Sequence, residues 1–132
     1  MPELPSKIDP RSDTYRQNHE RCSGLLEEVR GLEARVRETS SSKREKFEKR
    51  GQLLPRERVA RMLDRGTPFL ELCTLAGLGM HDDDGKKDVM GGGSILGIGT
   101  VAGKRCLVSA SDSAIKGGSI PPAGLRKGLR GQ

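Results

Sequence analysis

The stretch SILGIGTVAGKRCLVSASD, residues 94–112, decides the architecture. Ile95 to Val101 is a short apolar run interleaved with glycine, and Ala102-Gly103-Lys104 supplies a tight turn. Arg105 to Ala110 then returns with apolar residues. Runs of this length bounded by turn residues predict a β-hairpin, since a buried helix needs a longer segment. The second strand breaks abruptly into Ser111, Asp112, Lys116 and a Gly117-Gly118 pair. Two residues without Cβ beside a lysine let a ligand approach the backbone closely. A plain strand-to-helix turn with a solvated lysine has the same composition.

The glycines of the hairpin invite nucleotide-fold readings, and both fail. Gly97, Gly99 and Gly103 give GxGxxxG, one residue too long for the dinucleotide fingerprint, and a strand follows where a helix is required. Gly103-Lys104-Arg105 has Ile98 in place of the first phosphate-loop glycine and Arg in place of Ser/Thr.

Upstream, LLPRERVARMLDRG (53–66) predicts a helix. Pro55 suits a first turn, Val59, Met62 and Leu63 share a face, and Gly66 ends it. The alternation of TPFLELCTLAG (67–77) predicts a strand. KREKFEKRG (43–51) is charged, with Phe47 as its one large apolar residue, and reads as a solvated helical turn stopped by Gly51. From Asp13 to Glu38, Tyr15, Cys22, Val29 and Val36 recur every seven residues, with Asn18, Leu25 and Leu32 between them. That is a helix with a narrow seam, suited to packing against one neighbour. Residues 1–12 hold three prolines and read as an extended arm.

HDDDGKKDVMGGG (81–93) reads as a loop. His81 beside three aspartates lacks the ligand spacing of a calcium loop, so no metal is expected. Downstream, Ser119 is positioned to cap a helix begun by Pro121 and Pro122, with Leu125 and Leu129 four apart, and the chain stops about two turns in. The order is helix, helix, strand, hairpin, helix: a mixed α/β layer whose later strands are expected beyond Gln132.

Composition narrows the function. With 132 residues, 33% of them hydrophobic, no Trp, one Tyr and two Phe, the core is thin, and the chain is expected to complete it against something else. A net charge of +6 favours anionic partners. Aromatic poverty argues against single-stranded nucleic acid, which binds by stacking. Cys22, Cys73 and Cys106 form neither a disulfide framework nor a metal knuckle and suit a reducing compartment. No run approaches the ~20 apolar residues of a membrane span. The opening MPELPSKIDPRSD shows neither a secretory signal nor a transit peptide, so a cytoplasmic protein is expected, or a mitochondrial-matrix one in a eukaryote.

Three segments together resemble the opening of the carboxyltransferase (β) subunits of biotin-dependent acyl-CoA carboxylases of the propionyl-, methylcrotonyl- and geranyl-CoA type. They are RGQLLPRERVARMLDRGTPFLEL (50–72), GIGTVAGKRCLVSASDSAIKGGS (97–119) and LRKGLRGQ (125–132). Their order and spacing carry the resemblance. Ser111 departs from the family's usual Asn, Ser113-Ala114-Ile115 replaces its Ala-Thr-Val, and SIPPAGLRKGLR looks closer to the geranyl or branched-chain branch.

The resemblance implies the opening part of a crotonase-like ββα superhelix preceded by N-terminal helices, an incomplete domain. Residues 1–12 would be an arm, 13–66 a helical segment, and 67–132 the truncated start of the acyl-CoA-binding domain. It implies transfer of a carboxyl group from carboxybiotin, carried on a partner, to an acyl-CoA. Charge on the thioester enolate and on departing biotin would be stabilised by backbone N–H groups of glycine-rich loops. Those loops are expected beyond Gln132, so turnover by this piece alone is not expected and no catalytic residue is assigned. The implied partners are a biotin carboxylase and biotin carrier subunit and further copies of the β subunit, with no metal.

For the acyl-CoA surface, Lys116, Gly117 and Gly118 are the first candidates and Arg56 and Arg58 the second. Charge pairing of those arginines with Glu57 and Asp64, or with an adjacent subunit, is the competing reading. Asp112 is expected to brace the turn. The alternative function is a small basic nucleic-acid-binding or assembly module using residues 43–65, where nine basic side chains face four acidic ones.

Overall fold

The computed structural model describes Ser6, residues 8–80 and residues 89–132. The His81 cluster lies outside the described residues. The elements are α1 (Asp13–Ser41), α2 (Arg44–Glu48), α3 (Pro55–Met62), β1 (Leu70–Glu71), β2 (Ser94–Val101), β3 (Lys104–Ser111) and α4 (Pro122–Arg130), with a 3-10 turn at Lys116–Gly118. They divide into two compact units, one ending at Leu32 and one from Glu33 onward.

In the first unit, the Ser12 hydroxyl accepts the Tyr15 N–H at 3.2 Å and starts α1. Tyr15 stacks on His19 one turn later. The seam residues Tyr15, Leu25 and Val29 stay exposed within this unit.

The second unit is built around the hairpin. β2 pairs antiparallel with β3 from Ser94↔Ser111 to Val101↔Lys104, and β1 pairs with β2 at Leu70↔Ile98 and Glu71↔Gly97. The turn works because Ala102 and Gly103 are both left-handed, at φ 49° and 75°, the geometry of a tight hairpin turn.

Val59 of α3 packs with Ile95 and Val108, and Leu63, Phe69, Val101 and Ala110 join them. Glycines in β2 make this approach possible. A Cβ on Gly97 would stand 2.4 Å from the Phe69 ring, and one on Gly99 would stand 2.4 Å from a Leu63 methyl. Leu96 lies on the opposite face, where a Cβ on Gly131 would meet its methyl at 2.8 Å. The sheet is thus covered by α3 on one face and, at the Leu96 end, by the α4 segment on the other.

Three local expectations are corrected. The helix from 53 ends at Met62, because Leu63 turns extended into the core and the Asp64 carboxylate takes the Ala102 and Gly103 N–H groups at 2.9 and 2.7 Å. Asp64 therefore braces the hairpin turn and, among the described residues, pairs with no arginine. The strand at 67–77 is only Leu70–Glu71: Leu72 still donates to Leu96 O at 2.7 Å, but Cys73 is left-handed at φ 52°, which breaks the pairing. Ser119 does not cap α4. Pro121 holds that position, and the Ser119 hydroxyl donates to Lys116 O at 3.0 Å.

Candidate functional site

At the end of β3 the Asp112 N–H donates to Gly93 O at 2.9 Å, and the Asp112 carbonyl accepts the Ile115 N–H at 2.9 Å. The side chain, 1% exposed, accepts through Oδ1 from the Ser40 hydroxyl and the Ala114 N–H, each at 3.2 Å. It braces the turn on both sides of the chain reversal. Lys116, Gly117 and Gly118 follow in the left-handed region, at φ 45°, 66° and 91°. At 117 the positive φ alone favours glycine, since nothing lies within 4 Å of where a Cβ would stand. Lys116 adopts it with a side chain, at a cost of about 1 kcal/mol or more.

Lys116 and Gly117 face a cleft of about 410 Å³. One wall is Ser113, Ala114, Lys116 and Gly117; the other comes from α2 and its flanks, with Lys43, Lys46, Arg50 and Gln52. Phe47 and Ala114 line both the cleft and a small buried cluster completed by Leu54, so apolar contact ties the walls together. The cleft lining contains four cations and no carboxylate. Beside the cleft, Arg44 pairs with Glu57 at 2.6 Å and Lys49 with Glu45 at 2.7 Å. The hydrogen bond from Arg44, helped by the Leu54 N–H, holds Glu57 below the ordinary carboxylate range.

Arg56 and Arg58 lie apart from this cleft's lining. Arg56 forms a two-pronged ion pair with Glu71, Nη1–Oε2 at 2.8 Å and Nη2–Oε1 at 2.9 Å. Burial disfavours the charge of each, yet their mutual hydrogen bonds prevail, so the Arg56 pKa is raised and that of Glu71 lowered. Arg58 is exposed on α3. Behind the pair, Lys127 of α4 is 2% exposed and donates to Ser94 O at 2.6 Å and Gly91 O at 3.0 Å. Burial pulls its pKa down, with Glu71 opposing.

Of the sequence-derived candidates, Lys116 and Gly117 come to the cleft, with Gly118 closing their turn. Sequence reasoning assigns the run holding Lys43, Lys46 and Arg50 to solvent and gives Gln52 no site role. Their spacing was the available signal: positions 43, 46 and 50 share a helical face beside Phe47. Among the described residues no group of three or more His, Cys, Asp or Glu side chains could hold a metal. No described helix is long and apolar enough to cross a membrane.

Residues 46–132 match the family model described as the carboxyl transferase domain. The chain is 40% identical over 130 residues to a protein of Drosophila melanogaster named "Probable methylcrotonoyl-CoA carboxylase beta chain, mitochondrial", covering 98% of this chain and 22% of that protein. It is 48% identical over 89 residues to the "Biotin-dependent 3-methylcrotonyl-coenzyme A carboxylase beta1 subunit" of Mycobacterium tuberculosis, covering 67% and 16%. The solved β subunit of geranyl-CoA carboxylase from P. aeruginosa superposes with a TM-score of 0.85 at 50% identity, covering 98% of this chain and 24% of that one. The fold is therefore the crotonase-like carboxyltransferase fold, of which these residues form a part. A nucleic-acid or assembly module is not favoured. The chain spans less than a quarter of the length of the relatives it matches, 22% for the Drosophila protein, and it belongs to the carboxyl transferase family of biotin-dependent acyl-CoA carboxylase β subunits.

Proposed function

We propose that this chain is part of a subunit that carboxylates an acyl-CoA, and that the cleft between α2 and the Lys116 turn receives the phosphate-bearing end of coenzyme A. The observation that carries the reading is the convergence of Lys43, Lys46, Arg50 and Lys116 on one cleft whose lining has no carboxylate. Coenzyme A presents several phosphate charges, and mobile ammonium groups answer such charges without demanding one fixed geometry. The exposed backbone at Gly117 leaves room for close approach. Arg56, held by Glu71, supports the site from within, and Arg58 remains an exposed cation for the far edge of a long ligand.

Carboxybiotin, carried by a biotin-bearing partner subunit, supplies the carboxyl group. This chain's own residues bind and orient the acyl-CoA and take no catalytic role. Relatives named for methylcrotonyl- and geranyl-CoA support a branched, unsaturated acyl group. The subunit works as a homo-oligomer with a biotin carboxylase partner, in the cytoplasm or, in a eukaryote, the mitochondrial matrix. The test is retention of the complete subunit on immobilised coenzyme A. Release by free coenzyme A and not by heparin is expected; release by heparin alone overturns the reading.

A further inference from the structure

The two walls of the cleft come from segments about 70 residues apart in the chain, yet one carboxylate oxygen joins one wall to the helix end that leads into the other. Asp112 Oδ1 accepts the Ser40 hydroxyl at 3.2 Å and the Ala114 N–H at 3.2 Å. Ser40 lies in the last turn of α1, three residues before Lys43, and it is as buried as Asp112. Ala114 lies two residues before Lys116 and lines the other wall. We infer that Asp112 is a positioning residue: its carboxylate clasps the segment carrying Lys43 and Lys46 to the turn carrying Lys116, and so sets the distance across which the cations meet a phosphate ligand.

Like charges drawn toward one cleft repel, so an empty cleft tends to open. A buried acceptor shared between the walls opposes this, and the Phe47–Leu54–Ala114 cluster adds apolar contact at the same level. Asp112 is also electrostatically coupled to Arg56, which helps keep that guanidinium charged. The Arg56 Nε and Asp112 Oδ2 atoms are both buried and both without a hydrogen-bond partner among the described residues.

The inference rests on the coenzyme A reading of the cleft, and its test separates the two. Affinity for free coenzyme A is measured on the complete subunit in its assembled carboxylase, for wild type, Lys116→Ala, Ser40→Ala and Asp112→Ala, at several salt concentrations. Lys116→Ala is expected to weaken binding about tenfold, from the loss of one charge-assisted contact. Ser40→Ala exchanges one neutral residue for another away from the ligand. It is expected to weaken binding about threefold to tenfold and to flatten the salt dependence, because the cations no longer converge. Asp112→Ala, which removes the shared acceptor, is expected to do the same or more. If it does not fold, Ser40→Ala decides alone. If Lys116→Ala weakens binding while Ser40→Ala matches wild type in affinity and salt dependence, the clasp is overturned and the cleft stands. If Lys116→Ala itself matches wild type, the cleft reading falls and the clasp with it.

Discussion

Arg56 and Glu71 face each other through two parallel hydrogen bonds, with their side chains 23% and 11% exposed. That geometry joins α3 to β1, the shortest strand of the sheet. Removing one partner strands a charge in a poorly solvated place, which costs about 3 kcal/mol. Arg56→Ala and Glu71→Gln should therefore each lower unfolding free energy in urea by about that amount at neutral pH. A loss under about 0.5 kcal/mol, the level of an exposed pair, would show that β1 is held by other means.

The same pair sets an acid limit. Burial alone would raise the Glu71 pKa, but the Arg56 hydrogen bonds outweigh it and the folded value lies below the ordinary one. The unfolded chain therefore binds the proton more tightly, and the stability from this group is full above a pH of about 4.3. It is lost as pH falls through the folded value. Urea midpoints measured from neutral pH down into the acid range should fall more steeply for wild type than for Glu71→Gln. Parallel curves for the two would contradict the assignment.

Two glycines of α4 should respond oppositely to alanine. A Cβ on Gly124 would stand 2.2 Å from the backbone carbonyl oxygen of Gly92, which cannot swing aside as a side chain can. Gly124→Ala should cost about 2 kcal/mol or more, since overpacking forces backbone shifts. Gly128 has nothing within 4 Å of its Cβ position. There alanine's better helix propensity should add about 0.5–1 kcal/mol. Thermal unfolding of the two variants checks both signs.

Lys116 holds a left-handed backbone that glycine adopts without penalty. Lys116→Gly should therefore raise stability by about 1 kcal/mol while weakening coenzyme A binding. A variant that is more stable but binds less well would place the strain at a working site. Equal binding with greater stability would mark the turn as structural only.

The hairpin was legible because its signals are local: two short apolar runs and a turn glycine that needs a positive φ. The helix end near Met62 was not. Asp64 leaves the helical path for N–H groups 38 and 39 residues away, and no pattern near 64 records that partnership. The same limit applies to the cleft. The small, charged turn at Lys116 was visible as a place where ligand could meet backbone. Its opposing wall was read as solvated, because the contact that brings Phe47 to Ala114 joins distant parts of the chain. Arg56 shows the reverse case: at the level of sequence it is one arginine of several, and only the register of β1 gives it Glu71.

The most direct measurement is the structure of the complete subunit with coenzyme A bound. The account predicts phosphate oxygens within hydrogen-bond reach of Lys116 and of at least one cation among Lys43, Lys46 and Arg50. Coenzyme A bound elsewhere, with these side chains turned to solvent or to carboxylates of the same subunit, would contradict it.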